Sequence, residues 1–150
     1  MFKGTREGDE QEEESTMEKR LIRTKKYLSE YRDMEWKAQT AQRVIQECND
    51  MMTSLQGFHA GAVVQGGENH REELLANCID RKTGAEAAVS YIRSVNHALE
   101  GLDKIERGII IGYYIDREGI NVVMRLCAVS RSRAYERAEE ALAHIDRLLF

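Results

Sequence analysis

The stretch Asp103–Phe150, DKIERGIIIGYYIDREGINVVMRLCAVSRSRAYERAEEALAHIDRLLF, decides how this chain is read. Ile105–Ile115 is rich in Ile and Tyr and on composition alone could be a strand. Asp103, followed three residues later by Glu106, is a helix-start signature and turns the reading towards a helix. Asp116-Arg117-Glu118-Gly119 is then a turn. Ile120–Cys127 is just over two helical turns, with Val122, Val123 and Leu126 apolar. After Ala128-Val129, Ser130 is placed to cap a last helix. In that helix Ala134, Ala138, Ala141, Leu142, Ile145 and Leu149 recur at three- and four-residue steps, which makes one buried face. Helix, turn, short helix, three-residue turn and basic helix together make a helix-turn-helix layout.

A helix of this kind enters the DNA major groove by its N-terminal residues. The expected outward tip is Arg131, Ser132, Arg133, Tyr135 and Glu136, with Ala134 and Ala138 turned to the core. Arg131, Ser132 and Glu136 project together beyond the helix end. Arg131 can pair with guanine in a bidentate manner, and Glu136 can accept from cytosine. Ser130, Arg133, Tyr135 and Arg125 are better placed for phosphates, which fix register but not sequence. With Arg137, the segment Ile120–Arg137 holds four arginines and one acid, a local net charge of +3. Arginine-rich helix starts also occur on ordinary solvated faces. The first turn is the electrostatically wrong end for cations unless an anion comes there, which favours phosphate.

Upstream, the absence of proline from 150 residues leaves the chain free to run in long helices, and 42% apolar with 32% charged residues suits amphipathic ones. The expected fold class is all-α. From Met17 to about Leu55 an apolar stripe runs through Leu21, Leu28, Tyr31, Ala38, Val44, Ile45, Cys48, Met52 and Leu55, with Ser15 or Thr16 as N-cap. Periodicity leaves open one long helix or two that break near Asp33–Lys37. The stripe can also serve as a homodimer seam, although Thr24, Glu35 and Gln42 interrupt a strict heptad. Residues 57–71 read as a glycine-containing loop. Helical spacing then resumes at Glu72, with Thr83-Gly84 a point of interruption and Gly101 the end of that helix. The expected division is a disordered acidic tail over 1–15, a helical segment over 16–56, a loop over 57–71 and a helix-turn-helix domain over 72–150.

The charge distribution qualifies the global acidity. The formal net charge is −4, and residues 1–15 alone carry −4, so the remaining chain is neutral. The pI is therefore a poor guide to a nucleic-acid partner. There is no apolar run of about 18 residues and no apolar stretch near the N-terminus, which argues against a membrane span and a secretory signal. Cys48, Cys78 and Cys127 are odd in number and far apart in sequence, so each is expected as a buried small hydrophobe in a reducing, cytoplasmic interior. His59, His70, His97 and His144 have no ligand spacing among themselves or with the cysteines. No metal and no cofactor is expected. No paired carboxylates, nucleophile–base arrangement or phosphate loop stands out, so the chain is not expected to be an enzyme. Trp36 is expected as partial core.

Glu106-Arg107, Ile109-Ile110, Tyr114-Ile115, then Ser130-x-Ser132-x-x-Tyr135 and Ala141-Leu142, resemble the ArpU/RinA-type regulators of phage late genes. The C-terminal part of that family is similar to region 4 of sigma factors. The resemblance covers roughly residues 72–150, and loosely the N-terminal half. It implies a phage or prophage DNA-binding transcriptional activator of late genes in a Gram-positive bacterial host. The implied partners are double-stranded DNA and host RNA polymerase, with Arg131, Ser132 and Glu136 at base-reading positions. Ala128 departs from the usual turn glycine, Cys127 from a common leucine, and Tyr113 and Glu136 from common basic residues. Gly108 and Gly112 are expected to weaken the helix before the turn. Two other readings compete: a DNA-binding protein like the phage small terminase subunit, and a helical adaptor that binds protein and not DNA. The usual terminase order puts the DNA-binding part first, whereas here it is last.

Overall fold

The computed structural model describes residues 3–57 and 67–150, with side chains described over 16–56 and 69–150. The chain is all-helical, with no strand among the described residues. In order, α1 is Lys3–Ser29, α2 is Tyr31–Gly57, α3 is Gly67–Glu100, α4 is Lys104–Ile109, α5 is Ile120–Cys127 and α6 is Arg131–Leu149. A π-helical segment, Ile110–Ile115, continues α4. Among the described residues no helix is long and apolar enough to cross a membrane.

Four boundaries differ from expectation. α1 starts at Lys3, so the acidic stretch 7–14, expected without structure, is helical, and neither Ser15 nor Thr16 is a cap. Its Glu, Gln, Lys and Arg content is helix-favouring, and no proline stops the helix from running on. The break in the N-terminal stripe falls at Glu30 rather than at 33–37. Ser29 donates its hydroxyl to the Lys26 carbonyl at 2.6 Å, a side-chain bond that competes with the helical ladder at that point. α3 begins at Gly67, so residues 67–71 leave the expected loop, while 58–66 lie outside the described residues. α3 also runs through Thr83-Gly84, because a single helical glycine costs only about 1 kcal/mol.

The chain divides into two compact units, Met1–Arg32 with Ser94–Phe150, and Asp33–Arg93. This division cuts across the expected one. The first unit joins α1 to the C-terminal helices, whereas residues 72–93, expected in the helix-turn-helix domain, belong to the second.

In the second unit α2 and α3 run antiparallel. Arg81 pairs with Glu47 at 3.6 Å, and the thiols of Cys48 and Cys78 are hydrogen-bonded neighbours. Ala41, Cys48, Cys78, Ala85 and Ala88 are buried, so the seam is made of small side chains that let two helices approach. Trp36, expected as partial core, is 64% exposed. It sits two residues from both Met34 and Ala38, about 200° round the helix from the half-buried stripe.

The first unit holds the buried side chains Leu28, Val95, Leu99, Leu102, Ile109, Ile110, Ile120, Val123, Leu142 and Ile145. Asp103 caps α4 by accepting from the Glu106 backbone N–H at 2.8 Å. The Glu106 carboxylate bonds His144 Nδ1 of α6 at 2.7 Å. Gly108 and Gly112 have a packing reason. A Cβ at Gly112 would lie 3.1 Å from Val122 Cγ2, and one at Gly108 would lie 3.2 Å from Leu126 Cδ1. The two glycines let α5 sit directly on the α4 backbone, which sets against their weak helix propensity.

Candidate nucleic-acid interface

The turn between α5 and α6 is fixed by its backbone. Ala128 takes the left-handed conformation, φ 53° and ψ 48°, and its N–H bonds the Met124 carbonyl. Val129 N–H reaches the same carbonyl at 3.3 Å, the pattern of a helix end that glycine ordinarily closes. The chain thus holds an alanine at a left-handed position, where a Cβ is unfavourable. Ser130 then caps α6, its hydroxyl accepting from the Arg133 N–H at 3.4 Å. Ala134, Ala138, Ala141, Leu142 and Ile145 are buried, as the periodicity requires, and Leu149 is half-buried.

The opposite face of α6 is the candidate interface. Arg125, Ser130, Arg131, Ser132, Arg133, Tyr135 and Glu136 are all exposed, and Arg137 is half-buried. Arg125 and Arg131 have no carboxylate partner among the described residues. Ser132 Oγ lies 3.4 Å from Ser130 Oγ.

Three of the expected contact residues on this face are engaged by α6 itself. Glu136 is not a free acceptor, because its carboxylate takes a charge-assisted hydrogen bond from Arg133. Arg133 also lies 3.7 Å from Glu140, so this arginine is engaged by α6 itself. Arg137 pairs with Glu140 at 3.4 Å. The neighbouring Cys127 side chain raises the Arg137 guanidinium, ahead of the effect of Glu140. Arg137 therefore lies where the end of α5 meets α6. The two arginines left open are Arg125, on α5, and Arg131, at the first position of α6.

Tyr113 was singled out in sequence only as a departure from a family pattern. It faces Tyr135 and Glu139 closely enough to feel their charge, and burial raises its phenol first. Its neighbours Lys25 and Arg117 were missed entirely. No spacing rule joins an α1 lysine to a turn nearly a hundred residues on. Among the described residues no group of three or more His, Cys, Asp and Glu stands where it could hold a metal ion.

No protein-family model matches the chain, and neither a curated protein nor a solved structure matches it significantly.

Proposed function

We propose that this chain is a sequence-specific DNA-binding regulator that activates late genes of a phage or prophage, in the cytoplasm of its bacterial host. One observation carries the reading. A short helix, a tight turn and a Ser130-capped helix present Arg131, Ser132 and Tyr135 to solvent at the N-terminal end of α6, while the alanines behind them are buried. Arg131 is the base-reading candidate. Arg125 and Ser130 suit phosphates, and Arg133 joins them if DNA draws it from Glu136. A likeness to sigma region 4 and contact with host RNA polymerase belong to the same proposal. The test is binding of Arg131→Ala/Arg133→Ala to duplex DNA from the protein's own phage or prophage. The expected result is a loss of tenfold or more with helicity unchanged, together with steep salt dependence in the parent. Equal binding by the variant overturns the proposal.

A second reading is favoured by the ion pairing on α6. Arg133, Glu136, Arg137 and Glu140 satisfy one another, and Leu126 and Tyr135 are exposed apolar or aromatic groups beside them. A helical adaptor would use this face on a protein partner. Absence of duplex binding by the parent even at low salt would point there.

A further inference from the structure

A cleft beside the π-helical segment is lined by Lys25 and Ser29 of α1, Tyr113 and Tyr114, and Arg117 and Gly119 of the following turn. Its volume is about 330 Å³, at the small end of the range for ligand sites. All of these residues belong to the first unit.

The chemistry of the lining is one-sided. Lys25 and Arg117 make no ion pair or hydrogen bond with any described residue. Of the two acids flanking Arg117, Asp116 is taken by Arg32, with bonds of 2.8 and 3.0 Å to its two oxygens. Glu118 does not line the cleft. The lining therefore includes two cations and no carboxylate, while Glu139 of α6 lies close enough to both tyrosines to raise their phenols.

The phenols add to this. The Tyr114 ring is buried, and its hydroxyl bonds no described residue. No fully buried side-chain polar atom lacks a partner among the described residues, and Tyr114 lines the cleft. The Tyr113 hydroxyl likewise bonds no described residue. Burial raises both phenols, and a phenol at or above its ordinary value is a protonated donor at neutral pH.

Backbone strain marks the same place. Arg117 has φ 52°, a left-handed conformation that glycine would occupy more easily. Its neighbour Asp116 is anchored by Arg32, and Gly119, at φ 97°, completes the turn. Such outliers persist where a side chain is wanted in one position. Here that side chain belongs to a residue that lines the cleft.

We infer that this cleft binds a phosphate group, with Lys25 and Arg117 neutralising its charge and the Tyr113 and Tyr114 hydroxyls donating to its oxygens. The phosphate can be a backbone phosphodiester of duplex DNA or the phosphate of a free small molecule. The inference does not require α6 to read bases.

The full chain and Lys25→Gln/Arg117→Gln are compared by amide NMR with inorganic phosphate, and by duplex binding across a salt series. Shifts confined to residues 25–29 and 113–119 on adding phosphate, absent in the variant, support the site with a free ligand as source. No shift with phosphate, but uniform weakening on duplexes of different sequence and a salt slope shallower by about one, supports it with the DNA backbone as source. Neither effect overturns the inference. If the parent binds duplex and the variant binds equally, with phosphate silent, the cleft proposal fails while the regulator proposal stands. If the parent binds no duplex, the phosphate titration alone decides. Arg117→Gly, which relieves the backbone conformation while removing the charge, guards against misfolding of the double variant.

Discussion

Thr24 donates its hydroxyl to the Asp146 carboxylate, joining α1 to α6 across 122 residues of chain. Both are buried, and Arg23 approaches the same carboxylate at 3.5 Å while its guanidinium lies 4.1 Å from the centre of the Phe150 ring. Tyr27 meets that ring edge-on at 5.5 Å. Thr24→Val keeps the shape but removes the donor from a buried carboxylate, at a cost of about 1–3 kcal/mol. Thr24→Ser should recover much of the loss. Urea unfolding of the three proteins measures this, and a Val variant equal to the parent would contradict it.

Ala128→Gly should stabilise the protein by about 1 kcal/mol. The substitution removes a Cβ from a left-handed position at an exposed site, where no packing is lost. The denaturation midpoint should rise with the slope unchanged.

Asp116 carries the clearest pH dependence. The hydrogen bond from Arg32, aided by its charge, holds the carboxyl below its usual range. The folded state therefore releases this proton more readily than the unfolded chain, whose carboxyl titrates near pH 4. The contribution is complete above that value and is lost as pH falls through the lower folded pKa. Both groups are partly exposed, so the size should be about 0.5 kcal/mol. Arg32→Gln should flatten that part of the stability profile between pH 5 and about 2, measured by thermal unfolding at constant ionic strength.

Glu136→Gln frees Arg133 from its strongest partner on α6. On the regulator proposal, duplex affinity should rise several-fold and the salt slope should steepen by up to about one, as one more phosphate is neutralised. A fall in affinity confined to sites with one particular base would instead assign Glu136 to base reading.

The three cysteines should react unequally. Cys48 and Cys78 are buried and Cys127 is half-buried. Burial raises the Cys78 thiol, and neighbouring Cys48 adds to it. A thiol reagent under native conditions should label Cys127 first, as mass spectrometry of timed samples can show.

Local signals in the sequence proved informative wherever one element carries its own instruction. Asp103 and Ser130 cap helices, and the alanine face of α6 is buried, because caps and periodicity act over three or four residues. Break points were less legible. The interruption at Glu30 has no glycine or proline to mark it, so pattern alone does not reveal it. Long-range partners were not legible at all. Thr24 looked like a flaw in a heptad and is a buried donor to Asp146. Cys48 and Cys78 looked remote and are neighbours, because α2 and α3 fold back on each other. On the candidate interface, exposure followed from periodicity, but the engagement of Glu136 by Arg133 needed side-chain geometry.

The bond between Thr24 and Asp146 also sets an order of events during synthesis. The first unit is split, with one part at the start of the chain and the other at its end. α2 and α3 can pair as soon as both have left the ribosome, whereas α1 must wait for α6. Closing that long loop makes the first unit the slower one to fold. Until Asp146 emerges the Thr24 hydroxyl lacks its α6 partner, and a chain that stalls short of it offers that part of α1 to chaperones and proteases.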